Sequence, residues 1–186
     1  MVTSLALAVS PAVCTDWKQV FRDSIRFANS YTRLPGLISA WEQHCLSGAE
    51  REDWLTVLGE EWTGCDNISE LKEALQLTPL EDAFEGDEPD LRAAMMTVGE
   101  QSALADLPEV VSIYRGCYEN NKQGLSWSLR EEVAAKFPSL HRYSQPGKPL
   151  LISATIPRDD IVALKLCRDE DEIICHLPDI VSVREL

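Results

Sequence analysis

The residues of this chain whose types and spacing could do chemistry are Arg115, Ser126, Ser128, Glu170 and Glu172. In IYRGCYENNKQGLSWSLREEVAAKF, residues 113–137, an arginine closes an apolar run, a polar turn follows, and Ser126-Trp127-Ser128 leads into a helix-forming stretch. Arginine offers a planar fork of donors suited to a pyrophosphate, and Gly116 directly after it permits close backbone approach to a ligand. The competing reading is a strand-end arginine in a surface ion pair. Ser128 also has a structural use, because Ser128-Leu129-Arg130-Glu131 fits the capping box that starts a helix. Ser126, two residues earlier in an extended segment, points to the same face and has no cap to make. Trp127, on the opposite face, reads as core.

The second cluster is CRDEDEIIC, residues 167–175. Leading into a strand, it puts Glu170 and Glu172 on one face and Asp169 and Asp171 on the other. Four consecutive acids also describe a solvated turn. Against that reading, Ile173 and Ile174 follow at once as a buried-type strand, which holds Glu172 near the core.

Two kinds of element must position these groups, and the pattern changes near residue 105. Before it the chain is helical: DWKQVFRDSIRFANSY places Trp17, Val20, Phe21, Ile25 and Phe27 near the 3.6-residue period. GLISAWEQHCL and EREDWLTVLGEEW continue the pattern, with Gly48 as a break between them. Asn67 with Glu70 forms a capping box for SELKEALQL. EDAFEGDEPD, residues 81–90, reads as an acidic connector and LRAAMMTV as a short helix. After residue 105 come short β-type runs, EVVSIYRG, PLLISATIP, IVALKLC, EIICH and IVSVREL, with LREEVAAKF as a helix among them. The expected fold is α+β, with a helical region over 1–105 and a compact sheet-rich region over 106–186.

The chain has 186 residues and a net charge of −14, enough length for a substantial core. Residues 1–100 carry 7 basic and 18 acidic side chains, so the acidity lies mostly in the helical half. Such a field repels a phosphate backbone, which argues against nonspecific nucleic-acid binding and is compatible with a basic protein partner. The opening MVTSLALAVSPAVC has no basic n-region and reads as a structured N-terminus rather than a signal peptide. No stretch approaches the ~18 consecutive apolar residues of a membrane span. Cysteines 14, 45, 65, 117, 167 and 175 form no metal spacing with His44, His141 or His176, and read as buried free thiols of a reducing cytoplasm.

Taken in order, Tyr114-Arg115-Gly116, then Gly124-Leu125-Ser126-Trp127-Ser128 with a helix ending at Phe137, then Glu170-x-Glu172 at a strand start, resemble the Arg/Ser/Glu branch of mono-ADP-ribosyltransferases, the cholera-toxin-like group. The resemblance covers about residues 109–182. It implies an ADP-ribosyltransferase-like sheet region that uses NAD as substrate and requires no metal. By the resemblance, Arg115 would hold the NAD phosphates or ribose, and the backbone at Gly116 would meet the nicotinamide amide. Ser126 would take the role of the first serine of the family's Ser-Thr-Ser motif and orient the catalytic glutamate, Ser128 would contribute to cofactor binding, and Phe137 would pack beside the nicotinamide. Glu172 would be the catalytic glutamate and Glu170 would engage the acceptor. Trp127 stands where the family has threonine.

The chemistry suits those residue types. Loss of nicotinamide leaves positive charge on the ribose ring, which a fixed carboxylate stabilises. An arginine acceptor is a poor nucleophile while fully charged, so a second carboxylate must orient it and take its proton. The implied activity is transfer of ADP-ribose from NAD to a protein, with arginine as acceptor. The alternatives are an NAD glycohydrolase and a catalytically inactive acidic binding or inhibitor protein on a similar fold. Transferases of this kind act as secreted toxins, toxin–antitoxin components and phage proteins. The implied setting is therefore the cytoplasm of a bacterium or a phage-infected host cell. The implied partners are a protein target with a basic surface and an inhibitor or antitoxin.

Overall fold

The computed structural model describes residues 15–66, 68–86, 88–167 and 170–186, with Arg142 described by its backbone alone. The opening apolar segment, the Asn67 cap and the face of Asp169 lie outside the described residues. The fold is α+β. Among the described residues seven α-helices precede the first strand: α1 (Trp17–Ser24), α2 (Arg33–His44), α3 (Arg51–Glu61), α4 (Lys72–Leu75), α5 (Pro79–Glu85), α6 (Pro89–Ala94) and α7 (Val98–Ala105). The strands are β1 (Val110–Cys117), β2 (Ser126–Ser128), β3 (Leu150–Pro157), β4 (Ile161–Lys165), β5 (Glu172–Cys175) and β6 (Asp179–Glu185), with α8 (Glu131–Ala134) between β2 and β3. They form one sheet in the order β4-β5-β2-β1-β3-β6, antiparallel at every junction.

Helical spacing explains the first half. In α2, Leu34, Leu37 and Ile38 fall on one stripe, and in α3 Trp54, Leu55 and Leu58 do the same; all are buried. Each such side chain contributes about 1.5–3 kcal/mol by leaving water. Gly59 lets α6 approach α3 closely, since a Cβ there would lie 2.2 Å from the Met95 carbonyl oxygen. Gly48 has φ +85° and ends the turn after α2, as a left-handed break requires.

The acidic connector expected over 81–90 is corrected: residues 81–85 belong to α5. Thr78 caps that helix, Pro79 occupies its first turn, and Leu80 and Ala83 are buried. Glu81 and Asp82 sit in the first turn, where the helix dipole favours carboxylates. Gly86, at φ +81°, closes it.

Two apolar clusters sandwich the sheet. Ile174, Val162, Ala163 and Leu125 join the helical half in one cluster. Ile113, Trp127, Ile152, Leu164 and Ile173 form the other, against which Ala103, Leu104 and Leu107 of α7 and its exit pack. Trp127 is therefore core, as its strand alternation requires. The five cysteines among the described residues are free, with Cys65, Cys117 and Cys175 buried and Cys167 exposed. No helix among the described residues is long and apolar enough to cross a membrane.

A buried ion pair fixes α7 to β4. Lys165 Nζ lies 2.9 Å from Glu100 Oε2 and donates to the Met95 carbonyl at 3.0 Å. Glu100 also accepts from the backbone of Thr97, closing a capping box, and from Leu166. Burial pushes the Glu100 carboxyl up, but the Thr97 N–H, the Lys165 ammonium and the Leu166 N–H outweigh it and hold it below its ordinary value. Lys165→Met should cost about 3–5 kcal/mol at neutral pH, because it strands a buried carboxylate. The sign follows from the depressed value: the stabilisation is present above the unfolded carboxylate range and is lost as pH falls through the folded value. Denaturant titrations of the two proteins should therefore diverge at pH 7 and converge in acid.

Candidate active site

A cavity of about 190 Å³ lies between the helical half and the sheet. Arg115, Gly116, Ser126, Ser128, Phe137, Glu170 and Glu172 all line it. From the helical half Trp62, Thr63, Cys65, Asp66, Ser69 and Glu70 complete its wall.

Register places the central groups. Ser128 is opposite Glu172 and Ser126 opposite Ile174, so Ser126, Ser128 and Glu172 share the sheet face turned to the helices. The Ser126 hydroxyl lies near the Glu172 carboxyl and favours its ionised form. Trp62 Nε1 donates to Glu172 Oε1 at 2.9 Å. Burial pushes the Glu172 carboxyl above its usual range; Ser126, Trp62 and the Arg115 charge oppose the shift, and Glu170 adds to it.

Arg115 stands apart by alternation, on the side of Ile113 and Cys117. Strand β1 meets β2 at Tyr114 and Ser128, and the guanidinium bridges toward β2 beyond that point. Nη1 donates to the Ser126 carbonyl at 2.5 Å and Nη2 to the Asn121 carbonyl at 3.1 Å. Gly124 makes room for it, since a Cβ there would lie 2.0 Å from Nη2. Burial lowers the Arg115 pKa from its ordinary value, with Cys117, Glu172 and Cys175 acting the other way. Arg115 is thus no surface ion pair; it ties the 119–126 loop to β1, and its charge favours the ionised form of Glu172.

Gly116 has a local reason for lacking a side chain. A Cβ there would lie 1.9 Å from the Ala134 carbonyl oxygen, so α8 rather than a ligand sets the close approach on that side. The expected helix to Phe137 is shorter: α8 ends at Ala134, and Phe137–Ser139 is a 3-10 turn. Tyr118 Oη holds that turn through the Pro138 carbonyl at 2.9 Å. The Phe137 ring lies 5.5 Å from Tyr143, centroid to centroid, as an aromatic end wall.

Ser128 does not form the capping box with Glu131. It is held in β2, accepts from the Arg130 N–H at 3.0 Å and donates to the Glu170 carbonyl at 2.8 Å, while the helix starts three residues later. Leu129 N–H donates to the Asp171 carbonyl at 3.0 Å, and Arg130 pairs with Asp171 at 3.8 Å. Asp171 takes φ +44°, a conformation that costs a non-glycine residue about 1 kcal/mol or more. Residues 170–172 therefore form an anchored turn that delivers Glu170 and Glu172 to one cavity.

Sequence reasoning missed Trp62, Asn121 and the partner role of Gly124. Trp62 continues the apolar stripe of α3 and carries no other local mark. Burial pushes the Cys65 thiol, in the same wall, up to about 12, so it supplies no thiolate at neutral pH. The site can therefore place a shielded carboxylate, backed by the Trp62 donor, the Ser126 hydroxyl and a cation, opposite developing positive charge, with a second carboxylate alongside. Comparison of the chain with protein-family models, characterised proteins and solved structures gives no match.

Proposed function

We propose that the protein transfers ADP-ribose from NAD to a protein acceptor, an arginine side chain, and releases nicotinamide. The observation that supports this most is the convergence of Arg115 from β1, Ser126 from β2 and Glu172 from β5, three neighbouring strands, on one cavity, with Ser126 and Glu172 on the same sheet face. The C1′–N bond breaks and its electron pair leaves with nicotinamide. The cationic C1′ faces the Glu172 carboxylate. A guanidinium nitrogen of the acceptor then bonds to C1′, and its proton passes to Glu170. Where water takes the acceptor's place, the product is free ADP-ribose. The cationic nicotinamide ribose favours the ionised form of Glu172, countering the burial that raises its pKa. The acidic half, with 18 acidic against 7 basic side chains over residues 1–100, suits a basic target surface in a bacterial or phage-infected cell.

Incubation with labelled NAD, with and without cell lysate, tests the reading. Labelled protein bands are expected; free ADP-ribose alone would make the protein a glycohydrolase, and neither product would leave a non-catalytic binding protein. Arg115→Lys should weaken NAD binding by roughly 1.5–3 kcal/mol, because an ammonium cannot serve the Asn121 and Ser126 carbonyls and still present a fork of donors. Calorimetric titration with unchanged NAD affinity would remove Arg115 from the site.

A further inference from the structure

We propose that Trp62 is a positioning residue for the reacting carboxylate, so that the helical half is part of the catalytic apparatus and not only a cover; this rests on the transferase reading above. The indole Nε1 of Trp62 reaches Glu172 Oε1 across 110 positions of sequence, at 2.9 Å. Trp62 is fully buried in the helical-half cluster, at the turn Trp62–Gly64 that follows α3, so its ring has little freedom to choose another partner. Ser126 flanks the same carboxyl on the sheet face, one strand away. A directional bond from the helical half thus fixes the position and plane of a group that its strand alone would leave free to rotate.

The other charged groups about Glu172 do not replace this contact. Arg115 is bonded to the Asn121 and Ser126 carbonyls. Lys165, its register partner on β4, is committed to Glu100 and the Met95 carbonyl. Glu170 raises the proton affinity of Glu172 rather than orienting it, and the Cys65 thiol, whose own pKa burial and Glu172 raise, offers no charge to it. The indole N–H favours the ionised carboxyl, and its loss therefore moves the protonation of Glu172 to higher pH.

Trp62→Phe keeps the ring in the core and deletes the donor. With labelled NAD, kcat is expected to fall about ten- to a hundred-fold at unchanged KM, with the acid limb of the pH profile moved upward. A merely structural tryptophan would change stability and leave that limb in place. A second measurement is independent of turnover: the indole N–H resonance missing from the Trp62→Phe spectrum should shift with pH in the wild type and stop shifting in Glu172→Gln. Active wild type with an unmoved kcat and acid limb in Trp62→Phe, or a Trp62 resonance that ignores pH or still titrates without Glu172, overturns the assignment. Wild type without NAD turnover but with the titrating indole sinks the transferase reading and leaves the Trp62–Glu172 coupling standing.

Discussion

Glu172→Gln should abolish both ADP-ribose transfer and NAD hydrolysis, by about 10³-fold or more, and should make the protein more stable at neutral and alkaline pH. The loss follows from its proposed place opposite the breaking bond: glutamine keeps the shape and an acceptor for Trp62, but would offer no charge to a ribosyl cation. The gain follows from burial, which pushes the Glu172 carboxyl upward. A raised folded pKa means the native state holds the proton more tightly than the unfolded chain. Its contribution to stability is complete below the ordinary carboxylate range and is lost as pH rises through the folded value, at no more than about 1.4 kcal/mol per pH unit. Glutamine has no such loss. Melting curves of the two proteins should coincide near pH 4 and separate above it, with the variant higher. A glutamate kept for an ordinary ion pair would give the opposite sign, and a solvated one none. Stability gained where activity is lost is expected of a site held in a costly state for function.

The parts of the fold legible in the sequence are those set by local periodicity. The apolar runs that became β1, β3, β4, β5 and β6 are long enough for period and composition to mark them. Strand β2 has three residues, too few for a period, and was readable only because Ser126 and Ser128 flank a bulky apolar Trp127. Helix α5 was hidden by its acids, although Thr78-Pro79 is a start signal and Leu80 with Ala83 marks a buried face. Helix α7 carried the same kind of signal in Thr97 and Glu100.

The candidate site divides in the same way. Glu172 could be placed near the core because two isoleucines follow it, and Ser126 could be put on the face of Ser128 by alternation, though the pairing that sets both beside Glu172 is a matter of register. The engagement of Arg115 with Asn121 and Ser126 depends on how the 119–126 loop folds back, which no spacing encodes. Ser128 satisfied a cap pattern in sequence, yet pairing with β5 keeps it extended, and its hydroxyl serves the turn at Glu170 instead. Trp62 was the least legible, since only the docking of one half on the other brings an indole to a carboxyl so distant in the chain.

Glu170→Gln should separate transfer from hydrolysis. Glu170 lines the cavity beside Glu172, and its charge is one of the causes that raise the Glu172 pKa. Its proposed task is to orient the acceptor guanidinium and take its proton, a contribution worth about 10²–10⁴-fold in rate. Glutamine cannot take that proton, so transfer to arginine should fall by that factor. Hydrolysis should stay within a few-fold of wild type, because water captures the ribosyl cation without a guanidinium to prepare. Removing the neighbouring charge should also ease ionisation of Glu172, moving the acid limb of the hydrolysis profile to lower pH, opposite to the shift expected for Trp62→Phe. Ser128 and Leu129 hold this turn through the backbone of Glu170 and Asp171, so the substitution leaves its anchoring intact. Parallel loss of both activities would make Glu170 part of the bond-breaking step. Transfer at full rate would mean that the acceptor brings its own proton acceptor or is not arginine, and the division of labour between the two glutamates would fall with it.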